Sequence, residues 1–253
     1  MEKIFDTHAH YDDEDFDVDR DQLLESMFAN DVCGIINCGI DIETSIFSVE
    51  LAQKYDGVYA ACGFHPHDVA KMTDSDFKKL RELLQKPKCV AVGEIGLDYH
   101  YDFCPRELQI EVLEKQLQIA SDLDLPVIIH DRESHEDIMN ILIKYKPKGV
   151  VHCFSGSVEM AKEVLKLGMY IGLGGAVTFK NAKKPVQVAK EIPLERLLLE
   201  TDAPYMTPVP FRGKRCTSDL ISYTAEKIAE VREISVDEVL LTCHNNAKTL
   251  FNI

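Results

Sequence analysis

The sequence predicts an α/β chain folded as one (β/α)8 barrel of the TIM type over residues 1–253, with an extra helix at the C-terminus. Three observations carry this expectation. Eight short apolar runs alternate with amphipathic stretches along the whole chain. The runs are rich in Val, Ile and Gly without clean alternation, which suits strands buried on both faces of a parallel sheet. Eight βα units in 253 residues, with no linker or composition break, fit the size of a closed barrel. A doubly wound open sheet is the rival, and it usually carries G-x-G-x-x-G after its first strand. Here the first strand ends in His-Ala-His instead.

In chain order the strand segments are "KIFDTHAH", "VCGIINCGI", "VYAACGFHP", "CVAVGEIGLD", "PVIIHDR", "GVVHCFSG", "MYIGLGGAV" and "RLLLETDAP". Pro126 and Pro147 sit at or just before strand starts, where a missing N–H is tolerated. The intervening stretches read as helices by their spacing. Leu23, Leu24, Met27 and Phe28 share one face, as do Leu108, Val112, Leu113, Leu117 and Ala120. "TDSD" at Thr73 and "SVDE" at Ser235 each place a capping residue three before an acid, which marks a helix start.

Composition excludes several classes. No run of about 18 apolar residues exists, so no membrane span is expected. The N-terminus lacks a basic region followed by an apolar one, so no secretory leader is expected. The eight cysteines are scattered, mostly in apolar runs, and none forms C-x-x-C. That pattern predicts reduced, buried thiols and a cytoplasmic location. The net charge of −15 argues against a protein that tracks a long duplex through its phosphates. It leaves room for a few phosphate contacts, because a metal centre and the local "FRGKR" run both supply positive charge. No sustained apolar patch is legible on the outer helices, so a monomer is expected.

The chemistry collects at the strand ends. The first strand ends in His8 and His10, whose i, i+2 spacing puts both imidazoles on one face of a strand. The third ends in His65 and His67, the fourth in Glu94 and Asp98, the fifth in His130, the sixth in His152 and the eighth in Asp202. In a barrel these ends converge on one face, where active sites are built. Any one of these histidines can equally cap a loop, and Asp202 before Ala-Pro can serve a turn. Ligand types at six strand ends of one face are hard to reconcile with a purely structural barrel. Imidazoles and carboxylates without cysteine suit Zn²⁺, Mn²⁺ or related divalent ions. The number of donors exceeds one tetrahedral set and suggests two ions, with Glu94 as the bridge. Asp202 then binds one ion and orients or deprotonates a water.

"DTHAHYD", "GFHPH", "VGEIGLDYH", "PVIIHDRE", "VHCFSGS" and "LLLETDAPYMTPVPFRGKR" together resemble the TatD-type metal-dependent deoxyribonucleases, (β/α)8 barrels of the amidohydrolase-like superfamily. The likeness runs from Phe5 to "NNAKTLF" near the C-terminus. It implies hydrolysis of nucleic-acid phosphodiesters, as a 3′-to-5′ exonuclease on single-stranded or frayed DNA, at a centre of two divalent ions (Zn, Mn, Mg, Ni or Co). Carried over motif by motif, it implies that His8 and His10 hold the first metal with Glu94 bridging, and that His130 and His152 hold the second. It makes Asp202 the ligand beside the attacking water. It places His65 on a substrate phosphate and not on metal, with Arg132, Tyr205, Arg212 and Arg215 assisting. Where the family commonly continues "RGKRNEP", this chain has Cys216 and Thr217 and no Pro. That departure bears on substrate preference more than on hydrolysis.

Two other functions compete. A bimetal barrel of this design can cleave an amide, or an ester such as an aminoacyl ester on tRNA. Many such barrels bridge their metals with a carbamylated lysine at the fourth strand end, and Glu94 stands there instead. A non-catalytic nucleic-acid-binding scaffold would be expected to lack Asp202 or Glu94, and both are present. Tyr99 and Tyr101 suit either stacking on a base or packing under the next helix. Gly172, Gly174 and Gly175 read as close backbone packing at the rim in preference to a phosphate cradle. His244 reads as structural.

Overall fold

The computed structural model describes residues 4–101 and 103–253. Lys3, the first residue of the first predicted strand, lies outside them. Eight parallel strands run in the order of the chain: β1 (Ile4–Ala9), β2 (Val32–Cys38), β3 (Val58–Cys62), β4 (Cys89–Asp98), β5 (Val127–Arg132), β6 (Gly149–Val151), β7 (Tyr170–Leu173) and β8 (Leu197–Leu199). The helices between them are α1 (Arg20–Ala29), α2 (Ile42–Lys54), α3 (Asp74–Leu83), α4 (Arg106–Leu123), α5 (His135–Tyr145), α6 (Val158–Lys166) and α7 (Lys183–Glu191). Two more, α8 (Ile221–Arg232) and α9 (Val236–Phe251), follow β8. All eight predicted strands are present, and α9 is the extra helix.

The strands are buried on both faces, as the unalternating sequence requires; β1 and β4 are buried at every position. Their inward side chains, among them Phe5, Ile36, Ala61, Ala91 and Ile128, form one cluster filling the lumen. Ala247 and Phe251 of α9 join that cluster, so the last helix covers one end of it. His244 on the same helix packs against the Phe5 ring, a structural role as expected. The helices present the predicted apolar faces: Val112, Leu113, Leu117 and Ala120 of α4 are buried in the outer core layer. Both predicted caps form. Thr73 and Asp76 make a capping box at α3, and Ser235 accepts the Glu238 N–H at the start of α9.

The barrel closes between β8 and β1, and this seam positions much of the site. Ala9 and Ala203 form a parallel bridge. The His10 N–H donates to the Ala203 carbonyl at 2.8 Å and the Asp202 N–H to the His8 carbonyl at 2.9 Å. Beneath them the buried Asp6 carboxylate accepts from the Thr201 N–H, the Thr201 hydroxyl and the Ser218 hydroxyl at 3.0, 2.6 and 2.7 Å. Burial pushes Asp6 up to about 6 against those hydrogen bonds. One side chain therefore ties the strand carrying His8 and His10 to the segment carrying Asp202. Among the described residues no helix is long and apolar enough to cross a membrane.

Candidate metal centre

His8 and His10 leave β1 on the same face, as i, i+2 spacing dictates. Their Nε2 atoms lie 3.0 Å apart. Glu94, near the middle of β4, reaches the same space from across the lumen. Its Oε2 is 3.3 Å from His8 Nε2 and 3.5 Å from His10 Nε2. Asp202 completes this side, its Oδ1 lying 3.7 and 3.5 Å from the same two nitrogens. The other oxygen of Glu94 faces different partners. Its Oε1 is 2.8 Å from His130 Nδ1, 2.7 Å from His152 Nε2 and 3.8 Å from His65 Nε2. One carboxylate thus looks with each oxygen into a separate group of imidazoles.

These donors suit divalent cations. With bonds of about 2.0–2.2 Å, neighbouring ligand atoms in one coordination shell sit roughly 3 Å apart. The tautomers agree. His10 Nδ1 lies 2.9 Å from the Cys38 carbonyl oxygen, an acceptor only, so Nδ1 carries the proton and Nε2 offers a lone pair. His130 Nε2 lies 3.2 Å from Asp98 Oδ2, so Nε2 carries the proton and the Nδ1 lone pair is turned toward Glu94. His152 turns Nε2 toward Glu94, and its buried Nδ1 lies 4.0 Å from Glu200 Oε1 with no hydrogen bond. Imidazoles that ligate metals are commonly backed by such acceptors. Burial alone would raise the Glu94 pKa, but His152, His8 and His65 outweigh it and hold the carboxyl well below its usual range. Asp202 is also lowered, burial again being overcome, here by His10 and His8.

All six predicted metal-type residues, His8, His10, Glu94, His130, His152 and Asp202, converge. The groups able to hold an ion comprise His8, His10 and Glu94; His8, His152 and Asp202; and His65, Glu94 and His130. His65 therefore stands closer to the donor set than a purely phosphate-facing residue need be.

The predicted substrate contacts are placed less uniformly. Arg132 follows His130 at the mouth, its guanidinium 4.6 Å from the centroid of the Tyr101 ring. The Tyr205 hydroxyl donates to Asp13 at 2.6 Å. Arg212 lies over Phe179 and donates to the Thr207 carbonyl. Arg215 grips Asp19 with two nitrogens at 2.8 and 2.7 Å and donates to the Asp15 carbonyl. Tyr205 and Arg215 thus brace the loop after β8 against the loop after β1. Cys216, where the chain departs from the family pattern, is buried, and its N–H donates to the Pro204 carbonyl.

The sequence places Asp98 among the strand-end groups without assigning it a role, and it does not single out Glu200. Asp98 Oδ2 receives both His130 Nε2 and His67 Nε2, the latter at 2.9 Å. Glu200 is buried, accepts the Cys153 N–H, and is pushed up to about 7 by burial. A signal existed for each: both lie at an even offset from a predicted ligand, Asp98 from Glu94 and Glu200 from Asp202, the spacing that shares a strand face. Gly172 makes room for Glu200, and a methyl group there would collide with its carboxylate. Gly175 likewise abuts the Met206 carbonyl, so the glycines of β7 and its rim serve close packing as expected. Gly172→Ala is expected to destabilise the fold by roughly 1–3 kcal/mol through overpacking. Thermal unfolding of the metal-free protein reads this, and an unchanged melting temperature would show that Glu200 has slack.

A family model described as TatD related DNase matches residues 5–252. A metal-dependent hydrolase of Bacillus subtilis (strain 168), YabD, is 45% identical over 253 residues, covering 99% of each chain. The 3′-5′ ssDNA/RNA exonuclease TatD of Escherichia fergusonii is 32% identical over 261 aligned residues, again covering 99% of each. The crystal structure of YjjV, a TatD homologue from Escherichia coli K12, superposes with a TM-score of 0.93 at 36% identity, covering 99% of this chain and 98% of that one.

Proposed function

Because this chain belongs to the family of TatD-related DNases, and so to the metal-dependent hydrolases, we propose that it hydrolyses nucleic-acid phosphodiesters, removing nucleotides from the 3′ end of single-stranded or frayed DNA. The observation that carries this reading is Glu94, whose two oxygens face two separate histidine groups. The relative named a 3′-5′ exonuclease supports the choice of bond. His8 and His10 would hold one ion, His130 and His152 the other, with Glu94 shared and Asp202 on the first. Divalent ions held there supply Lewis acidity, lowering the pKa of a water and taking up charge on phosphate oxygens.

The chain's own residues do the rest. Asp202 is the open carboxylate of the site: its side chain is 21% exposed against 4% for Glu94. It is the group that meets incoming water and accepts its proton. The new bond joins that water's oxygen to phosphorus. The bond from phosphorus to the sugar oxygen breaks, and the leaving oxygen takes a proton from solvent. The Cys38 carbonyl and the Asp98 carboxylate set the orientation of His10 and His130, Glu200 lies 4.0 Å behind His152 Nδ1 without a hydrogen bond, and Arg132 stands at the mouth to meet a phosphate. With a net charge of −15, substrate attraction is confined to this mouth.

The test is a 5′-labelled single-stranded oligonucleotide incubated with protein loaded in turn with Mg²⁺, Mn²⁺, Co²⁺ and Zn²⁺. A ladder shortening from the 3′ end, abolished by chelator, is expected. Bound metal without cleavage under all four ions would turn the assignment to amide or aminoacyl-ester hydrolysis.

A further inference from the structure

Of the two tyrosines that the sequence offered for stacking, the structure retires one. The Tyr99 hydroxyl donates to Asp137, and Arg106 covers its ring at 4.1 Å, so it is a packing residue. Tyr101 is different, and it has a companion. The Tyr101 and Phe103 rings stack with centroids 5.3 Å apart and planes 15° apart. They are 46% and 65% exposed. Scattered exposed apolar residues are ordinary. Two parallel rings beside a catalytic face are not scattered.

The platform is held from several sides. Arg132 lies over the Tyr101 ring at 4.6 Å. The His67 imidazole meets both rings edge-on, 5.2 Å from Tyr101 and 4.9 Å from Phe103. The Tyr101 N–H donates to Asp98 Oδ1 at 3.1 Å, and the Cys104 thiol to the His67 carbonyl. Asp98 also carries His67 and the metal-site residue His130 on its other oxygen. A single buried carboxylate therefore ties the rings to the imidazole beside Glu94.

We propose that Phe103, backed by Tyr101 and flanked by Arg132, is a stacking platform for one nucleobase of a single-stranded substrate, next to the phosphodiester in the metal site. This rests on the phosphodiesterase reading above. The occupant follows from what surrounds the rings. Every base has a π-face, so stacking serves an enzyme that moves along a strand irrespective of sequence. The guanidinium beside Tyr101 suits the phosphate that accompanies a base. A chain of net charge −15 cannot gain its affinity from many phosphate contacts, and stacking does not depend on them.

The experiment is a fluorescence-anisotropy titration of the metal-loaded protein with a labelled oligonucleotide protected at its 3′ end by phosphorothioate linkages. An abasic residue is walked through the nucleotides nearest that end. One position is expected to weaken binding about tenfold when its base is removed, the size of a single base–aromatic stack. Phe103→Ala should weaken the intact oligonucleotide by the same factor and erase the difference at that position; Phe103→Trp should restore it. The exposure of Phe103 makes unfolding an unpromising alternative cause, and a melting curve checks it. A wild type indifferent to every abasic position, or a Phe103→Ala variant that keeps the difference, overturns the platform. Cleavage without base discrimination would sink the platform and leave the phosphodiesterase reading standing. Base discrimination without cleavage would do the reverse.

Discussion

Glu94→Gln is expected to lower metal-dependent hydrolysis by about 10³-fold or more, the several kcal/mol that divalent ions contribute to charge stabilisation. The substitution keeps the shape of a side chain that is only 3% exposed, so the fold has no steric reason to change. What changes is charge and donor type. The amide has one oxygen, so it can face either His8 and His10 or His130 and His152, but not both. On the other side its NH₂ would stand among the imidazole nitrogens that face the carboxylate, in the space a cation would need. The measurement is metal content after dialysis, together with the rise in melting temperature that added metal produces, since a ligand bound only to the folded state stabilises it. The Glu94→Gln protein should bind less metal and lose most of that rise. A variant that retained full stoichiometry at wild-type affinity would show that Glu94 is not shared between ions.

Asp202→Asn is expected to separate the rate from the binding of metal. Asp202 sits at φ +66°, a left-handed conformation that Asn adopts as readily as Asp. The Asp202 N–H that donates to the His8 carbonyl belongs to the backbone and survives the change. The variant loses the carboxylate proposed to take the proton from water, a change worth typically about 10²–10⁴ in rate for a positioned base. Steady-state kinetics should therefore show kcat falling by that factor with a smaller change in KM. Hydrolysis at the wild-type rate would remove Asp202 from proton transfer and reduce it to a ligand. Both substitutions are isosteric, so their failures are distinguishable: Glu94→Gln is expected to weaken metal binding in both histidine groups, and Asp202→Asn to weaken it on one side only while the rate falls further than metal occupancy does.

Most of the fold and the six metal-type positions were legible because they rest on local rules. Strand periodicity put His8 and His10 on one face, and the barrel's convention placed the strand ends together. The pairing of the basic loop was not legible. Arg215 in "FRGKR" reads as a cation available to a substrate phosphate, yet it is bound to Asp19, 196 residues earlier in the chain. Tyr205 is likewise bound to Asp13 across the β8–β1 seam. The exposed pairing of Phe103 with Tyr101 was not legible either, because both rings meet His67 of a different loop. The exposure of Phe103 depends on His67 and Tyr101 holding it outward.

The sequence by itself determined the architecture and the kinds of donor atom, because alternating apolar runs, glycines and strand-end histidines are properties of neighbours along the chain. Only the tertiary structure decided which carboxylate backs which imidazole and which oxygen of Glu94 faces which group. Only it decided which cations at the mouth are already paired. Those relations depend on distances of a few ångströms between residues separated by tens to hundreds of positions, and closing the barrel sets them; no local periodicity encodes them.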